Sequence, residues 1–450
     1  MEIFLTVMYT ILFLIIIRNH SFFRIEGIRS EALRFAFLLK VAFGILLYLV
    51  YTYYYTDRAT ADIFKYFDDS KVMANAIFTK PLDYIQMLLG IHNDSSYFST
   101  NYYEHMNNWF RIYDSNIFSD SHLIIRFNAF VMLFSFGYYN VHTVFICFLS
   151  FIGLTALMKF FIAHAPKCKF GIFVSLFYIP SVLFWGSGVL KEGLIFFALG
   201  LFLHYSNNFF ERFNFWNSLV IFGSILLLLY TKIYIFLLIF PLVIIFKSLK
   251  QYSKNNIGIA FFTVLFFTSL VSYISLKILA NIDILAVLAN KQHDFIALAN
   301  SQPTGSLISN NQLTPDWLSF IQQLPMAIVN TFFRPIIGLD NSPMMIPAII
   351  ENICFIILLG FSFAFPAKLN RSQKMVFHLS LWFVIGVFLL TGITTPILGA
   401  IVRYKSIALP FLGVMFSLII DKKRIYNFSK KATRFGLNIE KKIIYKSVIH

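Results

Sequence analysis

The stretch IGIAFFTVLFFTSLVSYISL, residues 257–276, contains no charged residue. An α-helix needs about 20 predominantly apolar residues to cross the hydrocarbon core of a bilayer. A second long run covers residues 219–246 and carries one charged residue, Lys232. A soluble protein with such core helices would need a large polar domain around them, and the chain is 58% hydrophobic and only 13% charged. The sequence therefore predicts an integral membrane protein.

Apolar runs of this kind recur along the chain and predict an all-α polytopic fold with about eleven transmembrane helices. The first run lacks a basic segment before it and a small-residue cleavage site after it, so we interpret it as a span and not as a signal peptide. The predicted spans lie near residues 3–17, 35–55, 141–160, 170–185, 190–205, 216–231, 233–247, 257–276, 347–365, 375–392 and 404–420.

The distribution of Lys and Arg predicts the orientation, because cytoplasmic loops of membrane proteins are enriched in these residues. Arginines follow the first span, whereas the long segments 56–122 and 277–346 contain more acids than bases. We therefore expect a multi-pass protein of the inner membrane with an external N-terminus and a cytoplasmic C-terminus. Residues 1–420 form one transmembrane domain with these two external loops, and residues 421–450 form a basic cytoplasmic tail near anionic lipid. The net charge of +16 is explained in this way and does not indicate nucleic-acid binding.

The first external segment shows helical periodicity near the membrane surface. Residues 60–74 and 81–89 carry apolar side chains at helical spacing, which predicts interfacial amphipathic helices. The polar stretch 93–120 is typical of a lid-like loop. Residues 123–137 are too short for a span and would reverse the predicted orientation if they crossed, so we predict a re-entrant or interfacial helix there.

An acidic pair, Asp68 and Asp69, lies shortly after the second span. A carboxylate close to the membrane surface can act as a general base or bind a cation. The alternative is a solvated helix face on which Asp68 pairs with Lys71.

Two further motifs place charge beside apolar runs, where charge is costly. In WGSGVLKEG, residues 185–193, glycines precede Lys191 and Glu192, and such a break permits close approach of an anion. Lys232 lies between two apolar runs in YTKIY. For the glycine-rich break the alternative is a tight turn between two spans with a snorkelling lysine, and for Lys232 it is snorkelling alone.

Two arginines lie near the predicted outer ends of spans, in NTFFRP and GAIVRYK. The positive-inside preference does not explain Arg334 and Arg403, and arginine binds phosphate through two parallel hydrogen bonds. Contact with lipid headgroups uses the same chemistry and is the alternative. The residues that flank these cations, Glu192, Asn330 and Tyr404, are assigned supporting roles.

Several chemistries have no support in the sequence. The chain contains no phosphate-binding P-loop, no HExxH and no GxSxG motif. Its three cysteines are far apart and show no metal-ligand spacing.

The acidic pair in the first external loop, the amphipathic helices after it and the late arginine in GAIVRYK resemble the polytopic GT-C-type glycosyltransferases and the related bacterial O-antigen and exopolysaccharide polymerases. The resemblance implies sugar or oligosaccharide transfer from a polyprenyl-(di)phosphate-linked donor to a glycan acceptor at the external face. It implies that Asp68 or Asp69 deprotonates the acceptor, directly or with a divalent cation. It also implies that Lys191, Arg334 and Arg403, with Lys232, hold the donor phosphates. No other cofactor and no resident metal is expected.

Two other classes of protein fit the same residues. A transporter or flippase of lipid-linked glycans would use the cations without chemistry, and internal repeats with matching broken helices would favour it. A non-catalytic subunit of an envelope assembly would not bring the charged sites into one cavity.

Overall fold

The computed structural model describes residues 1–110, 120–209, 214–251, 256–279, 281–301, 306–308, 312–337, 342–428 and 430. These residues form an all-helical protein, and the only β-pairings among them are isolated bridges such as that between Leu307 and Ile397. The first nine helices are α1 (Glu2–Asn19), α2 (Ser30–Tyr53), α3 (Asp62–Thr79), α4 (Pro81–Leu89), α5 (Ser96–Asn101), α6 (His122–Ser135), α7 (Tyr139–His164), α8 (Lys169–Phe177) and α9 (Pro180–Trp185). The other nine are α10 (Lys191–Phe209), α11 (Phe215–Gln251), α12 (Ile257–Leu279), α13 (Ile284–Ser301), α14 (Trp317–Ile328), α15 (Ile346–Ala364), α16 (Arg371–Thr394), α17 (Leu398–Lys405) and α18 (Leu409–Ile419).

Seven helices in the described part of the chain are long and apolar enough to cross a membrane, or eight if the bent pair α17–α18 is one span. They are α1, α2, α7, α11, α12, α15 with the short turn before it, and α16. Many large apolar side chains on them are exposed, including Phe262, Phe266 and Phe267 on α12. A helical, membrane-embedded protein is therefore confirmed.

Seven single long helices stand against the predicted eleven spans for four physical reasons, one of which is the 60° bend between α17 and α18 in the predicted span 404–420. The predicted span 170–185 is broken between α8 and α9, where Pro180 begins a new helix. The polar ends of α10 lower its average hydropathy, although its centre is buried. The predicted spans 216–231 and 233–247 are the two helical halves of α11, which meet at Lys232, where the backbone is non-helical, without a loop between them.

The chain of α11 folds back at Lys232. Phe215 follows the end of α10 after a short connection, and the Lys247 ammonium donates to the backbone and side-chain oxygens of Asn207, which is also near that end. A straight helix would separate Phe215 from Lys247 by about 48 Å, which is too far for both residues to lie near the end of α10. The bend has the backbone angles φ −152° and ψ 89° at Lys232. Lys232 therefore lies at the other end of the bundle, beside the start of α10.

The centre of the bundle is the packing of α10 between α7 and α11. Gly153 of α7 and Gly200 of α10 bring the two backbones into contact, since a Cβ on Gly200 would lie 1.9 Å from the Gly153 carbonyl oxygen. Small residues of this kind permit close helix packing in membranes. The phenylalanine-rich core around this contact includes Phe151, Phe161 and Phe196, all fully buried.

The two ends of the bundle differ in charge. At one end, which we call the basic end, Lys159, Lys169, Lys247 and Arg371 contact neighbouring loops and helix ends. At the other end, which we call the site end, α3, α4 and α6 pack over the starts of α7 and α10.

The helices at the site end correspond to the predicted interfacial segments in part. α3 and α4 cover the predicted amphipathic stretches, and α6 is a 14-residue apolar helix at the predicted re-entrant position. The prediction of a lid-like loop over 93–120 is wrong in its first part, because α5 and a short 3-10 turn occupy residues 96–105. Residues 111–119 lie outside the described residues, as do 431–450 of the predicted tail.

Candidate functional site

The glycine-rich break between α9 and α10 places two charges at the bundle's site end. Gly188 packs against Leu47 so closely that a Cβ would lie 2.1 Å from that side chain. Lys191 and Glu192 follow in the first turn of α10 and are both buried. A carboxylate in the first turn of a helix is stabilised by the helix dipole, which favours Glu192 at this position.

Asp120 bridges the two lysines that the sequence singled out. Its carboxylate lies 2.5 Å from the Lys191 ammonium and 3.0 Å from the Lys232 ammonium. Burial acts to raise the pKa of Asp120, but the two lysines outweigh it and hold that pKa far below its usual range. Lys191 also lies over the Tyr66 ring at 5.3 Å, and Lys232 lies over the Tyr404 ring at 5.1 Å.

Arg403, in the last turn of α17, connects two other carboxylates. Its Nε and Nη2 donate to the two oxygens of Glu192 at 2.8 and 3.3 Å, and its Nη1 donates to Asp62 Oδ2 at 2.7 Å. The guanidinium carbon also lies 5.9 Å from the ring centres of Trp185 and Tyr404. Planar guanidinium suits both the fork-shaped pairing and the aromatic contacts.

These six side chains form one charged cluster, which we call the six-charge network: Asp62, Asp120, Lys191, Glu192, Lys232 and Arg403. Three carboxylates balance three cations. Asp62 is the most exposed carboxylate, at 38%, against 31% for Asp120 and 1% for Glu192. Its Oδ1 accepts no hydrogen bond from the residues that the structure describes.

A cavity of about 50 Å³ adjoins the network on the side of α13 and α16. Its polar lining consists of ammonium and hydroxyl groups: Lys232, Lys291, Tyr234, Tyr404, Thr391, Thr394 and Thr395. Desolvation, reinforced by the charge of Lys232, lowers the pKa of Lys291 to about 8. The cavity is too small for a diphosphate or a sugar and most of its surface is apolar, so it marks only a gap beside Lys232 and Lys291, and none of its described lining residues is acidic.

The predicted catalytic pair, Asp68 and Asp69, lies outside the centre of this network. Arg58 binds Asp68 through two hydrogen bonds of 2.9 and 2.6 Å on a half-exposed surface. Asp69 is fully buried and accepts from the backbone N–H groups of Asn107 and Asn108 at 2.7 and 2.8 Å. Burial raises the pKa of Asp69, although these two hydrogen bonds act in the opposite direction.

A chain of hydrogen bonds nevertheless links Asp69 to the network. The Asn108 side chain donates to Ser121 Oγ at 3.2 Å, and Lys191 lies 3.4 Å from the same oxygen. Asp62, Tyr66 and Asp69 are also spaced to share one face of α3. Asp69 therefore positions the loop that reaches the site.

Arg334 and Asn330 do not join the six-charge network through any described contact. They belong to a π-helical segment and the residue after it, and the Arg334 carbonyl accepts from Lys405 at 3.1 Å. Lys405, fully buried, also donates to Thr331 O and Asn352 Oδ1, both at 2.9 Å. Arg334 therefore contacts Lys405, whose partners differ from those of Arg403. The expectation that Arg334 shares a site with Lys191 and Arg403 lacks support in these contacts.

Sequence reasoning missed Asp62, Asp120 and Lys291. Asp62 precedes Asp69 by two helical turns and could have been found from that spacing. Asp120 and Lys291 are single charges in polar segments, and only the folded chain identifies their partners.

No group of three or more His, Cys, Asp or Glu side chains in the described ranges is placed to hold a metal ion. No family model, curated protein or solved structure matches this chain. Fold and site therefore define a helical membrane protein with a buried, charge-balanced site at one end of its bundle.

Proposed function

We propose that the chain is an envelope glycan glycosyltransferase or polymerase that uses a polyprenyl-diphosphate-linked sugar donor. The convergence of Lys191, Lys232 and Arg403 at one end of an apolar bundle is the observation that carries this proposal. Such a donor has a multiply charged diphosphate next to a hydrocarbon tail, and the site offers cations at one end of an apolar helical bundle. Tight clusters of cations in a bundle are costly without an anion, and here carboxylates from the chain supply it.

The donor diphosphate takes the place of the carboxylates in this proposal. Its oxygens accept hydrogen bonds from Lys191 and Lys232 in exchange for Asp120, and from Arg403 in exchange for Asp62. The same cations stabilise the negative charge that develops on the leaving diphosphate when the bond to the anomeric carbon breaks. The polyprenyl diphosphate is the leaving group, and the acceptor oxygen forms the new glycosidic bond.

The general base that we propose is Asp62, with Asp69 as a positioning residue and Asp68 as a surface partner of Arg58. Arg403 and the other nearby cations overcome the effect of burial and lower the pKa of Asp62 while the site lacks donor. Transfer of Arg403 to the diphosphate raises that pKa and frees the carboxylate to take the acceptor's proton. Binding of the donor thus activates the base.

Replacing Asp120 by asparagine tests the exchange of ligands at the two lysines. We expect Asp120→Asn to bind pyrophosphate or farnesyl diphosphate about tenfold more tightly, because no charged competitor must be displaced. The unliganded variant should be less stable, since two buried lysines lose their counter-ion, and diphosphate should restore its thermal stability. The control is Asp283→Asn, which breaks the exposed pair with Lys277. Weaker binding by Asp120→Asn would contradict the exchange.

The cavity lysine gives a pH dependence with a defined sign. Lys291 has its pKa lowered to about 8, so it is charged below that pH and neutral above it. We expect diphosphate affinity to fall as the pH rises through about 8, and Lys291→Gln to lose this step. Comparing wild type with Lys291→Gln over the same pH range cancels the effect of the ligand's own titration. Lys277→Gln serves as the control. An unchanged step in Lys291→Gln would remove Lys291 from the site.

The proposed topology has about eleven crossings with the N-terminus outside and the C-terminus in the cytoplasm. Besides α1, α2, α7, α12, α15 and α16, the crossings are the pairs α8–α9 and α17–α18, helix α10 and the two halves of α11. The hydrogen bonds of 3.0 and 2.8 Å from Asn140 to Glu2 support it, because they place the N-terminus at the site end. The basic end then faces the cytoplasm, as the distribution of Lys and Arg favours.

Cysteine labelling in a cysteine-free background checks this topology. An impermeant thiol reagent added to intact cells should label a cysteine at position 95 or 300 and should not label one at position 430. Labelling of all three after permeabilisation is the control for reactivity. Reaction of position 430 in intact cells would reverse or break the proposed threading.

A transporter or flippase of lipid-linked glycans is the second candidate, and the broken helices favour it. The pair α17–α18 bends by 60° just after Arg403, and α8–α9 is interrupted near the same end. Discontinuous helices often form the substrate site of transporters. The two functions differ in whether the bond between the sugar's anomeric carbon and the diphosphate is broken. A product assay measures this difference directly.

A further inference from the structure

A second polar cavity, of about 730 Å³, lies at the basic end, far from the six-charge network. It is formed by the beginning of α12, the beginning of α16 and the segment before α16. Arg371 fixes the start of α16 to the end of α11 through a 2.7 Å hydrogen bond to the Leu249 carbonyl. The cavity is therefore built from helix ends that are held in place by their own contacts.

The charged lining of this cavity is entirely basic in the described residues. Lys368, Lys374 and His378 face it, and Lys374 and His378 are one helical turn apart on α16. None of the described lining residues is acidic. Charges of one sign without counter-ions attract an anion from outside the chain.

His378 lines the same cavity beside Lys374. Its Nδ1 is buried and has no hydrogen-bond partner among the described residues. The ring lies over Phe261 at 5.9 Å, and Gly258 permits this approach, because a Cβ there would lie 2.9 Å from the ring. Because that atom is closed to water, a ligand in the cavity would meet the rest of the ring and not Nδ1.

We propose that this cavity binds a phosphate group, supplied by an anionic phospholipid headgroup or by a soluble phosphate compound. The two lysines supply charge, and the histidine ring forms part of the wall beside them. Ile257, Ile259, Leu369 and Phe377 give the cavity an apolar wall that would accommodate glycerol and the beginning of an acyl chain. The site is independent of the proposed glycan transfer and concerns the opposite end of the bundle.

Binding of tail-labelled phosphatidylglycerol to the purified full-length protein in a neutral detergent tests this proposal. Wild type should bind it saturably and in preference to labelled phosphatidylcholine. The double variant Lys368→Gln/Lys374→Gln should lose about 100-fold in affinity, about tenfold for each of the two charge-assisted hydrogen bonds removed. His378→Phe keeps the aromatic contact with Phe261 and leaves both lysines in place, so it should change binding less than twofold.

The matched control is Lys422→Gln/Lys423→Gln, which removes the same charge from a neighbouring exposed helix at the C-terminal end. Inorganic phosphate and pyrophosphate distinguish the two sources of the ligand. If they compete at millimolar concentration or below, and competition is lost in the double variant, the ligand is soluble; if they do not compete, it is the lipid headgroup. Equal losses in the double variant and the control, or no preference for phosphatidylglycerol together with no binding of phosphate, would overturn the proposal.

Discussion

Replacing Arg403 by lysine is expected to lower glycan transfer by about 100-fold or more, although the charge is kept. The guanidinium holds both oxygens of Glu192 and one oxygen of Asp62 at the same time. A lysine ammonium is a point charge and cannot reproduce this fork. Turnover with a lipid-linked donor measures the effect, and thermal unfolding verifies that the variant is folded.

The control for this prediction is Arg58→Lys. Arg58 also binds a carboxylate through two nitrogens, but the pair with Asp68 lies on the surface. Exposed ion pairs contribute at most about 1 kcal/mol to stability. Because Arg58 also lies outside the six-charge network, the rate of transfer should change less than twofold. Equal activity of Arg403→Lys and wild type would show that the fork at Arg403 has no part in the reaction.

Replacing Asp62 by asparagine should lower the rate of transfer by about 100- to 10,000-fold while donor binding persists. The amide keeps the size of the side chain and can still contact Arg403, but it cannot accept the acceptor's proton. The expected loss is therefore in kcat and not in KM for the donor. Asp68→Asn is the matched control on the same helix and should retain nearly full activity.

Asp69→Asn separates a base from a positioning residue. If Asp69 only holds the backbone of Asn107 and Asn108, its replacement should lower thermal stability and raise KM, and the pH profile of kcat should keep its shape. If Asp62→Asn is active and Asp69→Asn loses kcat alone, then the base is Asp69 and the role proposed for Asp62 is wrong.

The membrane character of the fold could be predicted because a bilayer imposes a length on every apolar run. Lys232 illustrates both the strength and the limit of this reasoning. One lysine between two apolar runs predicted two spans, and the backbone bends at that residue. That the two helices meet at Lys232 without a loop between them could not be inferred, since a sequence pattern does not show how tightly the chain turns.

The candidate site could be predicted only in part, because its pairs join distant parts of the chain. Lys191, Glu192, Lys232 and Arg403 stood out as charges beside apolar runs, and the structure brings them together. Their partners Asp62 and Asp120 did not stand out, since each is one acid among several in a polar segment. Asp62 lies 341 residues before Arg403, a contact that one sequence alone does not reveal. Arg334 shows the opposite case: its charge stood out in the sequence, but the contact that the structure describes is made by its backbone carbonyl, which accepts from Lys405.

The most direct measurement supplies purified protein in liposomes with a polyprenyl-diphosphate-linked oligosaccharide labelled in the sugar, together with an acceptor glycan. Chromatography then follows the labelled glycan and the lipid carrier. The account predicts a larger labelled glycan, an equal amount of released polyprenyl diphosphate, and neither product with Arg403→Lys. Movement of the intact donor across the bilayer without release of polyprenyl diphosphate would contradict glycan transfer and assign the same site to a transporter.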